Sequence, residues 1–199
     1  TFSWTRCESL VNKRFHYIPL QTVSFSGYKK CIQDYKEPII EPPLTTGAAC
    51  GQNLVQAQTN GLLEVIERDA FMIYWRNTIS PNKLDLKTIQ NERCQEAIKM
   101  AERCDLELLI LNIPTDVPVY TILTVVLDKS DVGVPVIVGT STHFSLQTAI
   151  EKSLFETLAV RTSRRLRAKK YYEDSKLVSL SQHITCLLYT SPSPRDRLL

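Results

Sequence analysis

From His16 to Phe25 apolar and polar positions alternate, and this period of two predicts a strand. Pro19 lies inside it and cannot donate to a ladder, so the strand is expected at a sheet edge. A proline-rich connection runs from Glu37 to Pro43, followed by Leu44-Thr45-Thr46-Gly47-Ala48-Ala49-Cys50-Gly51. Two glycines among small residues allow a tight turn there, with close approach of another backbone or a ligand. The period then lengthens to that of a helix from about Asn53 to Arg76, with Asn53 as its cap and Pro81 beyond its end. At about 100° per residue, Val55, Leu62, Val65, Ile66, Met72 and Ile73 share one broad apolar face. Asn60, Glu64, Glu67 and Arg68 form a concentrated polar stripe on the opposite side.

A second helix is predicted over Leu86 to Arg103, its many charges forming a solvated face. Leu106 to Ile113, Val119 to Leu127 and Val134 to Thr140 are rich in β-branched residues and predict three half-buried strands. A last helix is expected from Leu146 to Arg167, with Ala149, Leu154, Leu158 and Val160 among its apolar positions. Its basic end, Arg164-Arg165-Leu166-Arg167, complements the helix dipole. No period is sustained from Lys169 onward. The stretch 186–199 is out of character with the rest, resembles translated sequencing-library adapter, and is set aside from functional argument. These elements predict an α/β chain, more closely α+β: a mixed sheet with packed helices, of a length that suits one domain.

Composition narrows the function classes. With 24 basic against 21 acidic residues and a net charge of +3, no single-sign field exists to hold nucleic acid or an anionic membrane. No run approaches the roughly 20 apolar residues of a membrane-spanning helix, and the N-terminal residues lack the basic-then-apolar order of a signal peptide. A cytoplasmic protein is the expectation. The cysteines Cys7, Cys31, Cys50, Cys94, Cys104 and Cys186 are widely spaced, and His16, His143 and His183 are isolated, so no metal-ligand cluster is visible. The thiols are expected to be reduced, and mostly core filler.

Two carboxylates and a guanidinium within two turns, Glu64, Glu67 and Arg68, have the chemistry of a magnesium and phosphate site. Carboxylate oxygens are hard ligands, and arginine pairs bidentately with phosphate oxygens. Spacing alone favours a surface ion pair between Glu64 and Arg68, four residues apart. Glu151, Lys152 and Glu156, with Arg161, fit a solvated face by the same reasoning. Neither of the two glycine-rich phosphate loops that sequence usually reveals is present.

The run Thr45-Thr46-Gly47-Ala48-Ala49-Cys50-Gly51-Gln52-Asn53, followed by Asn60-Gly61-Leu62-Leu63-Glu64-Val65-Ile66-Glu67-Arg68-Asp69-Ala70, resembles the central signature of the YcaO family. The ending E-R-D-A is most similar to the SagD-like branch, which makes thiazoles and oxazoles in ribosomally made peptides. Supporting matches run from Tyr17-Ile18-Pro19 through Val117-Pro118-Val119-Tyr120 to Ala149–Glu156, so the resemblance covers about residues 1–185. Glu156 and Arg161 stand at family positions, whereas Ala159 replaces a usual glutamine and Asn60 stands where glutamine is frequent. The family's domains are longer, with an earlier E-x-x-E-R helix and a further C-terminal region, so these residues are expected to be the middle of a domain.

The resemblance implies an ATP- and magnesium-dependent cyclodehydratase that phosphorylates a peptide amide to form azoline rings in bacteriocin maturation. It implies nucleotide and magnesium binding by Asn60, Glu64, Glu67, Arg68, Glu156 and Arg161, with Glu64, Glu67 and Glu156 toward the metal and Arg68 and Arg161 toward phosphate. It singles out no residue for proton transfer. The implied partners are a precursor peptide, a leader-binding or zinc-containing protein, and a second copy of the chain, with neither nucleic acid nor membrane. Two alternatives stay open: a non-catalytic module that binds a peptide or partner, and a thioamidation or methylthiotransferase accessory protein.

Overall fold

The computed structural model describes residues 2–40, 44–129 and 135–173, with side chains as far as Leu166. The stretch 186–199 lies outside the described residues, as does Cys186. Two compact units emerge, Thr1–Ala48 and Ala49–Leu199.

In the first unit, β1 (Trp4–Glu8) and β2 (Phe15–Pro19) form an antiparallel hairpin with Trp4 opposite Pro19. The strand expected to reach Phe25 stops at Pro19. The chain turns into α1 (Leu20–Val23) and then α2 (Phe25–Gln33), a helix the alternating pattern concealed. Its start is set by Ser24, whose hydroxyl accepts from the Gly27 N–H at 3.1 Å. The fully buried Gln21 fixes the bend: its amide donates to the Pro38 carbonyl at 3.1 Å and accepts from the Ile40 N–H at 3.0 Å. A buried side chain with its polar atoms satisfied outweighs local alternation.

The second unit is built on an antiparallel sheet in the order β3 (Asn82–Lys83), β4 (Leu106–Ile113), β5 (Tyr120–Asp128), β6 (Val136–His143). The class is α+β as expected, but among the described residues the pairing is antiparallel throughout rather than mixed; short connections join β4 to β5 and β5 to β6, while α4 lies between β3 and β4. On one sheet face α4 (Glu92–Arg103) and α5 (Leu146–Glu173) close the core. There Cys94, Ala97, Ile98, Ala101, Ala149, Ile150 and Leu154 meet Leu106, Leu108, Ile110, Ile122, Val126 and Ile137. The helix expected to begin at Leu86 instead opens as one 3-10 turn, Leu86–Thr88, and α4 starts only after Asn91, whose side chain accepts from the Cys94 N–H at 3.0 Å. Of the five described cysteines, all free, Cys31 and Cys94 are buried while Cys50 and Cys104 are exposed, so core filling accounts for only some of them.

The long helix α3 (Leu54–Asn77) has the predicted bounds: Asn53 accepts from the Gln56 N–H at 2.9 Å, and Thr78 closes it in a left-handed conformation. Its orientation reverses the usual arrangement of an amphipathic helix. Gly61, Leu63 and Ala70 are buried, while Val55, Leu62, Val65 and Ile73 of the apolar face stand exposed. The polar stripe is the part turned toward β6.

Candidate active site

The loop before α3 is folded onto the helix start. A Cβ on Gly51 would lie 2.6 Å from the Ala57 backbone nitrogen, so only glycine permits this approach. Gln56 accepts from the Gln52 N–H at 2.7 Å, and Asn60 donates from Nδ2 to the Cys50 carbonyl at 2.9 Å. Asn60 thus ties the turn to the helix.

About two turns further along α3, Glu67 meets β6. Thr140 donates its hydroxyl to Oε1 at 2.6 Å, and the Thr142 N–H donates to Oε2 at 3.0 Å. Glu64 and Arg68 flank it, with Glu64 Oε1 4.0 Å from Arg68 Nε and both side chains 25% exposed. They are more enclosed than a fully solvated surface pair.

Helix α5 brings the third carboxylate. Gly139 on β6 has no side chain, and a Cβ there would sit 3.0 Å from the Thr157 backbone nitrogen. Ser153 Oγ lies 2.8 Å from Thr124 Oγ1 and 3.0 Å from the Gly139 carbonyl, and the Thr157 hydroxyl donates back to the Ser153 carbonyl at 2.7 Å. This buried hydroxyl seam fixes α5 on the sheet and places Glu156, next to Thr157, within electrostatic reach of α3.

The charges record that convergence. Burial pushes the Glu67 carboxyl above its usual range, with Glu64 adding repulsion, while the Thr140 hydroxyl, Arg68 and the Thr142 N–H oppose the rise. Glu156 retains considerable surface exposure, yet its carboxyl is also pushed up, by partial burial first and then by Glu67 and Glu64, against Arg68. Three like charges around one guanidinium favour an added cation. Among the described residues no group of three His, Cys, Asp or Glu side chains forms a ready-made metal cage.

Arg161 is placed differently. Its Nε and Nη2 lie 2.9 and 2.8 Å from Asp128 Oδ2, in a pair whose side chains are 12% and 4% exposed. Five residues along a helix is about 140° of rotation, so Arg161 is turned to the end of β5 while Glu156 stands on the flank. Sequence reasoning did not find Thr140, Thr142 or Asp128. The available signal for the first two is the run Thr140-Ser141-Thr142 in a strand, where polar residues at alternate positions share a face.

A sequence profile of the YcaO cyclodehydratases, described as ATP- and Mg2+-binding, matches residues 1–198. No curated protein sequence matches the chain. Among solved structures, the E. coli microcin synthetase McbBCD complex superposes with a TM-score of 0.71 at 18% identity, covering 94% of this chain and 48% of that one. YcaO from Methanopyrus kandleri bound with AMPPCP and Mg2+ gives 0.63 at 21% identity, over 77% and 38%. The heterocyclase TruD gives 0.64 at 20% identity, over 84% and 23%. The chain therefore shares their fold and spans less than half the length of each.

Proposed function

Since the chain belongs to the YcaO family, we propose that it forms part of the nucleotide site of an ATP- and magnesium-dependent peptide cyclodehydratase. The observation that carries this reading is the convergence of Glu64, Glu67 and Arg68 from α3 with Glu156 from α5, where burial and mutual repulsion hold two carboxyls above their usual range. Perturbed carboxylates beside an arginine mark a site built for charge rather than for stability.

Glu64, Glu67 and Glu156 would hold magnesium, directly or through its waters, and Arg68 would face phosphate oxygens. When bound, ATP would supply the phosphoryl group that turns an amide oxygen into a leaving group, with ADP as the product, and magnesium would offset the phosphate charge. In the reaction, a cysteine, serine or threonine side chain of the peptide adds to the preceding carbonyl carbon. The resulting oxygen is phosphorylated and departs as phosphate, and loss of the amide proton leaves the azoline. This chain's residues neutralise charge and hold position, the two contributions such a transfer needs most. Asn60, tied to Cys50, shapes the turn beside the site, and Arg161 acts on phosphate only by leaving Asp128.

The neighbours include a heterocyclase in complex with substrate and cofactor and a microcin synthetase with pro-MccB17 bound. They support a ribosomally made precursor peptide and a partner protein in the modifying complex as the proposed partners of this chain. No helix among the described residues is long and apolar enough to cross a membrane.

The test is ATP hydrolysis by the complete protein, with and without a Cys-, Ser- and Thr-rich precursor peptide. Peptide-dependent turnover that disappears in Glu64→Gln, with the far-UV spectrum unchanged, is the expected result. Wild-type turnover in that variant removes Glu64 from the site, and absence of magnesium-ATP binding in the wild type removes the enzyme reading.

A further inference from the structure

The two oxygens of Glu67 are gripped by different donors of one strand, the Thr140 hydroxyl at Oε1 and the Thr142 N–H at Oε2. Rotating the carboxylate would break both bonds, so its plane is fixed relative to β6. Each oxygen keeps a lone pair for a further contact. The two grips have separate supports. The Thr142 N–H belongs to the backbone, and its strand is locked to β5 by the buried Thr121–Thr142 hydroxyl pair, 2.7 Å apart at register partners. The Thr140 contact depends on a side chain alone.

We infer that Thr140 is a positioning residue, which aims the Glu67 carboxylate at the magnesium–nucleotide complex without touching that complex itself. The inference rests on the proposed role of Glu67. Valine at this position keeps the shape and removes the donor, leaving Oε1 free to turn. Serine keeps the donor and removes only a methyl group. Partners that orient a metal's ligands typically change affinity by about 10- to 100-fold when removed. A methyl group lost from a strand has no such effect.

In the complete protein, binding of AMPPCP is followed by calorimetry while Mg2+ is varied, with thermal melting measured alongside. Thr140→Val is expected to raise the Mg2+ concentration needed for half-maximal AMPPCP binding about tenfold or more. Thr140→Ser is expected to stay within about threefold of wild type, because the oriented hydroxyl, and not the methyl, sets the affinity. The melting temperatures of all three should agree closely. An unchanged Mg2+ requirement in Thr140→Val overturns the inference, as does a loss that serine fails to restore. Should valine prevent folding, Thr140→Ala with the same serine comparison reads the same contact. Glu67→Gln separates the two levels: if it binds AMPPCP with the wild-type Mg2+ requirement, the proposed role of Glu67 fails and this inference with it. If Glu67→Gln loses binding while Thr140→Val does not, only the positioning role fails.

Discussion

Glu37 in the first unit and Glu67 in the second are held by similar donors and titrate in opposite directions. Glu37 accepts from both the N–H and the hydroxyl of Ser3, with Gln21 reaching its other oxygen. These hydrogen bonds, the Ser3 hydroxyl first, hold its carboxyl below the usual range. Glu67 also accepts from a hydroxyl and an N–H, yet burial and the charge of Glu64 carry it upward, and it in turn raises Glu156. The donors are alike; what differs is burial and the company of other carboxylates. A fold gains nothing from crowding acids, so the crowded one reads as a site and the satisfied one as a clasp.

Asp128 gives that contrast a third case, a buried carboxylate matched by a full positive charge. Removing one partner of a buried ion pair leaves the other uncompensated and costs about 3–5 kcal/mol. Asp128→Ala is therefore expected to produce the largest loss of stability of the substitutions considered, visible as a lower urea midpoint of the complete protein. A midpoint equal to wild type would show that Arg161 is not held by Asp128 in solution, and would return it to the phosphate role its sequence position implies.

The comparison is broken most directly by exchanging the fates of its two members. Glu67→Ala is expected to lower magnesium-dependent ATP turnover by about 100-fold or more, at least the effect of losing a partner that only orients a ligand. Glu37→Ala should do the reverse, lowering the melting temperature while leaving turnover per folded molecule near wild type. Steady-state kinetics and melting on the same preparations decide it. If Glu37→Ala abolishes turnover at unchanged stability, the division between clasp and site collapses.

The same difference explains what was legible in the chain. Runs rich in β-branched residues placed β4, β5 and β6 to within a few residues, and the Asn53 cap placed α3, because those signals are local. The bend into α1 was hidden because Gln21 draws its reason from Pro38 and Ile40, far along the chain. For α3 the residues of the stripe were readable, and their family resemblance supplied a role, but the direction they face was not. Helical periodicity assumes that polar sides meet water. Here Thr140 and Thr142 donate to Glu67 and draw the stripe inward, while Val55, Leu62 and Val65 are left outside. Arg161 was readable as a cation, and its partner Asp128, 33 residues away, was not.

The smallest effect, and the sharpest test of sign, is the response to pH without nucleotide or metal. A carboxyl held below its unfolded value contributes stability that is present at neutral pH and lost as pH falls through its lowered value. Glu37 is of this kind, so its contribution fades only in the acid range below that of an ordinary glutamate. A carboxyl held above its unfolded value acts oppositely: the folded state binds the proton more tightly, so stability rises as pH falls through the raised value toward the ordinary one. Glu67 and Glu156 are of this kind. Mild acidification from neutrality should therefore strengthen the second unit before further acid weakens the first. Hydrogen exchange resolved by segment can follow β6 and α3 separately from β1 and α2. Glu156→Gln should show a small gain in protection of β6 and α3 at neutral pH and a flatter acid response, since the amide removes repulsion without removing a donor to β6. Protection of β6 that declines steadily from neutral pH downward in the wild type, unchanged by Glu156→Gln, would mean that Glu67 and Glu156 are not crowded, and the contrast with Glu37 would lose its physical basis.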